Sequence, residues 1–90
     1  MIGATITPFG GSGYGRSPAN EADREKINAW ILTPGHFDAV IDFAKVIADP
    51  QDPSRIAPQF DSGDHLHPSP AGYRAMGESI PLTLFEGLSR

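Results

Sequence analysis

The spacing of apolar residues changes twice along the first half of the chain, and each change marks an element. Ile2 to Thr7 is short, rich in Ile and Thr and closed by Pro8, which is the pattern of a β-strand. Phe9 to Pro18 then interrupts with Gly10, Gly11, Gly13 and Gly15 and reads as a glycine-rich loop. Beyond it the period becomes helical. Ile27, Trp30 and Ile31 follow i, i+3, i+4 spacing and mark a stripe expected to be buried. Asn20 is the expected N-cap, with Glu21 and Asp23 in the first turn, where the helix dipole favours acids. The helix should run to about Leu32 and stop at Thr33-Pro34-Gly35. Phe37 to Phe43, centred on Ala39-Val40-Ile41, reads as a second strand.

The second half is more broken. Ala44 to Asp49 is compatible with one helical turn, and Pro50 to Gly63 reads as a loop because Pro50, Pro53 and Pro58 interrupt any regular element. Ser69 is placed to cap a last helix, with Pro70 at its first position, where the missing N–H costs nothing. Tyr73, Met76 and Ile80 form its apolar face, and Pro81 should kink or end it. Leu82, Leu84, Phe85 and Leu88 extend an apolar stripe past that break. There is no internal repeat and no composition shift of a domain boundary, so residues 1–90 read as a single, partial domain.

The strand–helix–strand order predicts an α/β fold in which two parallel strands are joined by a crossover helix. Two parallel strands alone do not make a stable sheet, because such strands normally lie inside larger sheets covered on both faces. The expectation is therefore a sheet completed from outside the chain, by a second copy, a partner or an N-terminal segment.

Composition narrows the classes. A chain of 90 residues buries only about 60–65% of its extended surface, which leaves a thin stability margin. Without cysteine it holds no disulfide and no thiolate metal site, and this is compatible with any compartment. A net charge of −4 argues against nucleic acid or an anionic membrane as partner. No apolar run approaches the roughly 20 residues of a membrane span, and the first residues lack the basic and apolar regions of a signal peptide.

The chemistry concentrates in Asp61-Ser62-Gly63-Asp64-His65-Leu66-His67-Pro68, just ahead of the last helix. Asp64 precedes His67 by three residues, and such a carboxylate can fix the imidazole tautomer and stabilise the imidazolium that forms when the ring takes a proton. The plainer alternative is a loop histidine in a turn shaped by Asp64. His65 and His67, with Asp61 and Asp64 close by, also offer ligands of the kinds zinc accepts, although neighbouring loop residues rarely converge on one ion. Ser12 lies in Gly10-Gly11-Ser12-Gly13-Tyr14, a near miss to the G-x-S-x-G elbow, with Tyr14 in the wrong place and no helix directly after it. The same loop lacks the Lys-Ser/Thr ending of a phosphate-binding P-loop. Trp30 and Tyr73 read as core residues. Arg16, Arg24 and Arg74 read as surface charges, with Arg24 able to pair with a carboxylate.

These segments resemble, in order, the C-terminal part of the SGNH (GDSL-type) hydrolase family. Thr5-Ile6-Thr7-Pro8-Phe9 is similar to the strand and loop after that family's asparagine-bearing block, and Arg24 through Trp30-Ile31, with Asn28, resembles the helix that follows. Phe37 to Phe43 with Ala48-Asp49-Pro50 resembles its last core strand and loop. Gly63-Asp64-His65-Leu66-His67-Pro68 with Ala71-Gly72-Tyr73 is similar to its catalytic Asp-x-x-His-Pro block and the helix behind it. The resemblance implies part of a three-layer α/β/α sandwich with a parallel sheet, incomplete here, and an ester hydrolase (serine esterase or acylhydrolase) without a cofactor. It implies His67 as general base and Asp64 as its orienting acid, a small-molecule ester as substrate, and a serine in a Gly-Asp-Ser block that the chain does not contain. A homo-oligomer or a complementing N-terminal segment would then complete the site. The alternative is a non-catalytic truncated fragment that folds by self-association or with a partner.

Overall fold

The structure is a computed structural model and describes residues 1–85. Strand β1 (Ile2–Ala4) leads through a glycine-rich loop, containing a 3₁₀ turn at Gly13–Arg16, into helix α1 (Pro18–Leu32). The chain returns as β2 (Ala39–Ile41), which pairs with β1 in parallel, Gly3 opposite Val40. The expected α/β crossover unit is therefore present, with both strands shorter than the sequence suggested.

Side chains from outside the sheet explain where β1 stops. Thr5 makes one more ladder bond, its N–H donating to the Ile41 carbonyl. At Ile6 the partner changes. The Ile6 N–H donates to Asn28 Oδ1 at 2.8 Å, and Asn28 Nδ2 donates to the Ile6 carbonyl at 3.0 Å. The amide of Asn28 supplies the donor and acceptor that a neighbouring strand would have offered.

Four expectations about α1 are corrected. Its N-cap is Ser17, which accepts from the Ala19 N–H, and not Asn20, whose side chain donates to the Tyr14 carbonyl. Pro18 takes the first helical position, where its fixed φ suits the helix, so the helix starts earlier than the Asn20 reading allowed. The residues α1 buries are Arg24 and Asn28, whereas Ile27 and Trp30 are about half exposed. Arg24 is not a surface charge: its guanidinium donates to both Glu21 carboxylate oxygens and to the carbonyls of Ile6 and Pro53. The helix therefore packs by polar clamping of backbone ends.

Phe43 opens a short helix and does not extend the strand. Asp42 caps α2 (Phe43–Ile47) by accepting from the Lys45 N–H, and it also accepts from Thr5 Oγ1 at 2.8 Å. The stretch from Pro50 to Gly63 holds one strand of a second sheet where a loop is expected, and the other strand comes just before it. Strand β3 (Ala48–Asp49) pairs antiparallel with β4 (Asp52–Ile56), with a register irregularity at Ala48/Asp49. Pro53 is tolerated because β4 is an edge strand in a two-stranded ribbon, where a missing N–H need not break a ladder. The buried apolar core gathers around this ribbon: Ala44, Ile47, Ile56 and Ala57, with Pro8.

The last helix, α3 (Pro70–Glu78), is capped by Ser69 as expected, and ends at Ser79, before Pro81. Gly72 is its buried residue, and a Cβ there would strike the Phe60 carbonyl and the Pro68 ring. Tyr73 is exposed, so its assignment to the core does not hold. A 3₁₀ turn covers Leu82–Phe85, and the part of the expected stripe at Leu88 lies outside the described residues.

Candidate functional site: two carboxylate–imidazole pairs in one loop

Residues 61–68 close on themselves. Asp61 and Pro68 form an isolated antiparallel bridge, and the Ser62 N–H donates to the His67 carbonyl at 3.1 Å. The Ser69 N–H donates to the Phe60 carbonyl at 2.7 Å and Ser69 Oγ donates to the Gln59 carbonyl, so the loop leaves and enters α3 through a fixed corner. Close approach at Gly72 lets α3 sit directly against that corner.

Inside the loop, Asp64 and His67 meet as the sequence predicts. Asp64 Oδ2 lies 2.6 Å from His67 Nδ1, while Oδ1 accepts from the His67 N–H at 2.8 Å, the Leu66 N–H at 2.9 Å and Ser62 Oγ at 3.0 Å. One carboxylate thus grips both backbone and ring of His67. An ionised carboxylate only accepts, so the ring proton sits on Nδ1 and the outer nitrogen, Nε2, carries the free lone pair. The imidazole of His67, followed by the backbone N–H groups of His67 and Leu66, holds the Asp64 carboxyl well below the usual carboxylate range. The His67 side chain is 65% exposed, open to an approaching hydroxyl.

A second pair of the same design lies beside it. Asp61 Oδ2 is 2.6 Å from His65 Nδ1, and Asp61 Oδ1 accepts from the N–H groups of Gly63 at 2.8 Å and His65 at 3.1 Å. Here the acid is enclosed, its side chain 9% exposed against 49% for Asp64. Burial acts to raise the Asp61 pKa, but the two N–H donors and the His65 ring outweigh it and hold the carboxyl low. Sequence reasoning missed this pair. Its signal was an acid four residues before a histidine, with Gly63 between them to take φ +115°.

The other candidates separate from the loop chemistry. Ser12 is buried and its hydroxyl donates to the Phe9 carbonyl at 2.5 Å, so it is tied into its own turn and not presented as a nucleophile. His65 and His67 bind different carboxylates, and no group of three or more metal-ligating side chains converges among the described residues. The glycine-rich loop reaches the site from one side. The Gly10 N–H donates to the Ser54 carbonyl at 2.8 Å, and a Cβ on Gly11 would stand 3.2 Å from His65 Cγ and 3.1 Å from an Arg55 nitrogen. A cleft of about 360 Å³ opens at this junction, lined by His65, Asp61, Gly63, Arg55 and Asp49 among others. No helix among the described residues is long and apolar enough to cross a membrane.

An imidazole oriented by a carboxylate in the loop that leads into α3 is chemistry suited to a hydrolase that activates a hydroxyl or water. The comparison with known families places it more closely: residues 2–80 match the model of the GDSL-like lipase/acylhydrolase family, and the chain belongs to that family. Among curated proteins, none is significantly similar to the chain.

Proposed function

We propose that this chain is the C-terminal portion of an SGNH-type serine ester hydrolase and contributes its general base, His67, with Asp64 as the orienting acid. The observation that carries the reading is the 2.6 Å Asp64–His67 bond, in which the same carboxylate also binds the His67 backbone and leaves Nε2 free to take a proton. The nucleophile comes from a segment outside these 90 residues, since the chain has no Gly-Asp-Ser and Ser12 is bound to Phe9. In the completed site, Nε2 takes the proton of the serine hydroxyl as it attacks the ester carbonyl. It returns that proton to the departing alcohol, then activates water to release the acyl group. Asp64 keeps its charge throughout and stabilises the imidazolium.

The test is a short-chain nitrophenyl ester assay on the assembled enzyme, with a serine-directed phosphonate as probe. His67→Ala should lower turnover by about a thousandfold or more while the assembly persists; an unchanged rate removes His67 from the mechanism. A second reading rests on the exposed Ile6, Ile27, Trp30 and Leu32: a non-catalytic fragment that folds by association, with a second copy or a partner covering this face. Absence of phosphonate labelling and of turnover in every assembly that restores a folded sample would favour it.

A further inference from the structure

The second carboxylate–imidazole pair has no task in the reaction just described, yet the chain sustains a backbone cost to form it. His65 has φ +62°, the left-handed region, and it is the one non-glycine residue among those described with positive φ. Such a conformation costs of the order of 1 kcal/mol for a residue with a Cβ, and asparagine or glycine would adopt it more easily. Asp61 does not need the imidazole to shape the turn, because its Oδ1 already accepts from Gly63 and His65 N–H groups. The ring does something the turn alone does not. It joins an enclosed acid on one side to the glycine-rich loop on the other, where Gly11 leaves room for it at a φ of +88°.

Only Leu66 separates His65 from His67, and Asp64 lies between Asp61 and His65, the two members of the second pair. Any rotation of the backbone at 65 therefore swings the Leu66 and His67 N–H groups off Asp64 Oδ1. We propose that His65 is a positioning residue: held between Asp61 and Gly11, it fixes the loop in the conformation that lets Asp64 orient His67. The inference rests on the reading of His67 as the general base. The charged groups that share the cleft with the His65 ring are Asp61 from its own loop, Arg55 from β4 and Asp49 from β3, and the backbone at Gly11 lies against the ring.

The experiment is long-range ¹H–¹⁵N correlation of the imidazole nitrogens in the full chain, in alkaline buffer. In the wild type, His67 should show a protonated Nδ1 and an unprotonated Nε2, with widely separated shifts. His65→Asn keeps a residue that tolerates the left-handed region but removes the ring. It should let the His67 ring exchange between tautomers, so that its two nitrogen shifts converge by about half or more. Gly11→Ala, which pushes on the His65 ring, should give a smaller convergence, and His36→Ala none. A His67 that keeps its full separation in both the His65 and Gly11 variants overturns the positioning role and leaves the base intact. A wild-type His67 with no fixed tautomer overturns the Asp64 pair and this inference together. If both variants lose amide dispersion across the whole chain, His65 belongs to the fold and the inference also fails.

Discussion

The loop from Asp61 to Pro68 and the face made by β1, β2 and α1 meet the same requirement over different distances. In the loop, each acid satisfies backbone donors two to four residues away, and eight residues close a complete set of hydrogen bonds. On the sheet side, polar groups are satisfied across the chain, by Arg24 and Asn28 reaching Ile6, while apolar side chains remain uncovered. Open grooves of about 320 and 500 Å³ flank α1. The contrast teaches that the carboxylate–imidazole pairs are built by local chemistry, whereas the packing of α1 on β1 depends on contacts far apart in sequence.

The largest effect should come from cutting the long-range clamp. Arg24→Ala removes a guanidinium that is 6% exposed, strands Glu21, takes the Arg24 donor from the Pro53 carbonyl and leaves the Ile6 carbonyl with Asn28 alone. Breaking a buried ion pair from one side costs about 3–5 kcal/mol, a large share of the stability of any small domain. Urea unfolding should show a midpoint collapse or no cooperative transition at all. Asn28→Ala should follow at about 1–3 kcal/mol, because the Ile6 N–H loses its acceptor and the Ile6 carbonyl keeps only Arg24. If either variant unfolds at the wild-type midpoint, α1 is held by its apolar face after all.

Cutting the local pair should do the reverse, sparing the fold and removing the chemistry. Asn at position 64 still offers an oxygen to the Leu66 and His67 N–H groups, so the turn survives, but the imidazole loses its charged partner. Asp64→Asn in the assembled enzyme should lower turnover by about a thousandfold with little change in circular dichroism. The pair also has an acid signature. The folded-state pKa of Asp64 lies below its unfolded value, so the stabilisation is complete above about pH 4 and is lost as pH falls through the depressed folded value. The wild type should therefore be the more stable of the two above about pH 4, and the gap should close on acidification below it. A gap that stays constant down to strong acid would mean that the carboxylate form contributes nothing to the folded state.

This division of range also explains what could be read from the sequence. The Asp64–His67 pair, the Ser69 cap and Pro70 at the first helical position are set by residues within a few positions of one another, and pattern reasoning reached all three. The parallel pairing of β1 with β2 was legible because strand–helix–strand order admits few alternatives. The β3–β4 ribbon was missed because Pro50 and Pro53 outweighed a weak strand signal, and the edge position that makes Pro53 acceptable is a tertiary fact. The Glu21 partner of Arg24 is within reach of sequence reasoning, but its burial is not: a charged residue in an amphipathic helix normally faces solvent, and nothing near it in sequence announces the carbonyls of Ile6 and Pro53. Asp61–His65 was missed because φ +62° at a histidine runs against propensity.

The smallest effect concerns Trp30, at the boundary between the two regimes. It belongs to the stripe expected to be buried, yet it is 54% exposed, with His36 stacked on it at 3.9 Å and Phe37 edge-on at 5.8 Å. The His36 ring is itself anchored by Nδ1, which meets the Trp30 carbonyl at 2.7 Å. The indole thus has a local cover on one side and solvent on the other, which makes its emission a report on what covers this face. His36→Ala should shift the emission of the isolated chain to the red and change stability by no more than about 0.5 kcal/mol. Raising the concentration or adding a complementing segment should move the wild-type emission to the blue if the β1–α1 face is where assembly occurs. Emission that stays fixed while light scattering reports a larger particle would place assembly elsewhere, and the uncovered face would then be an ordinary exposed surface of the folded chain.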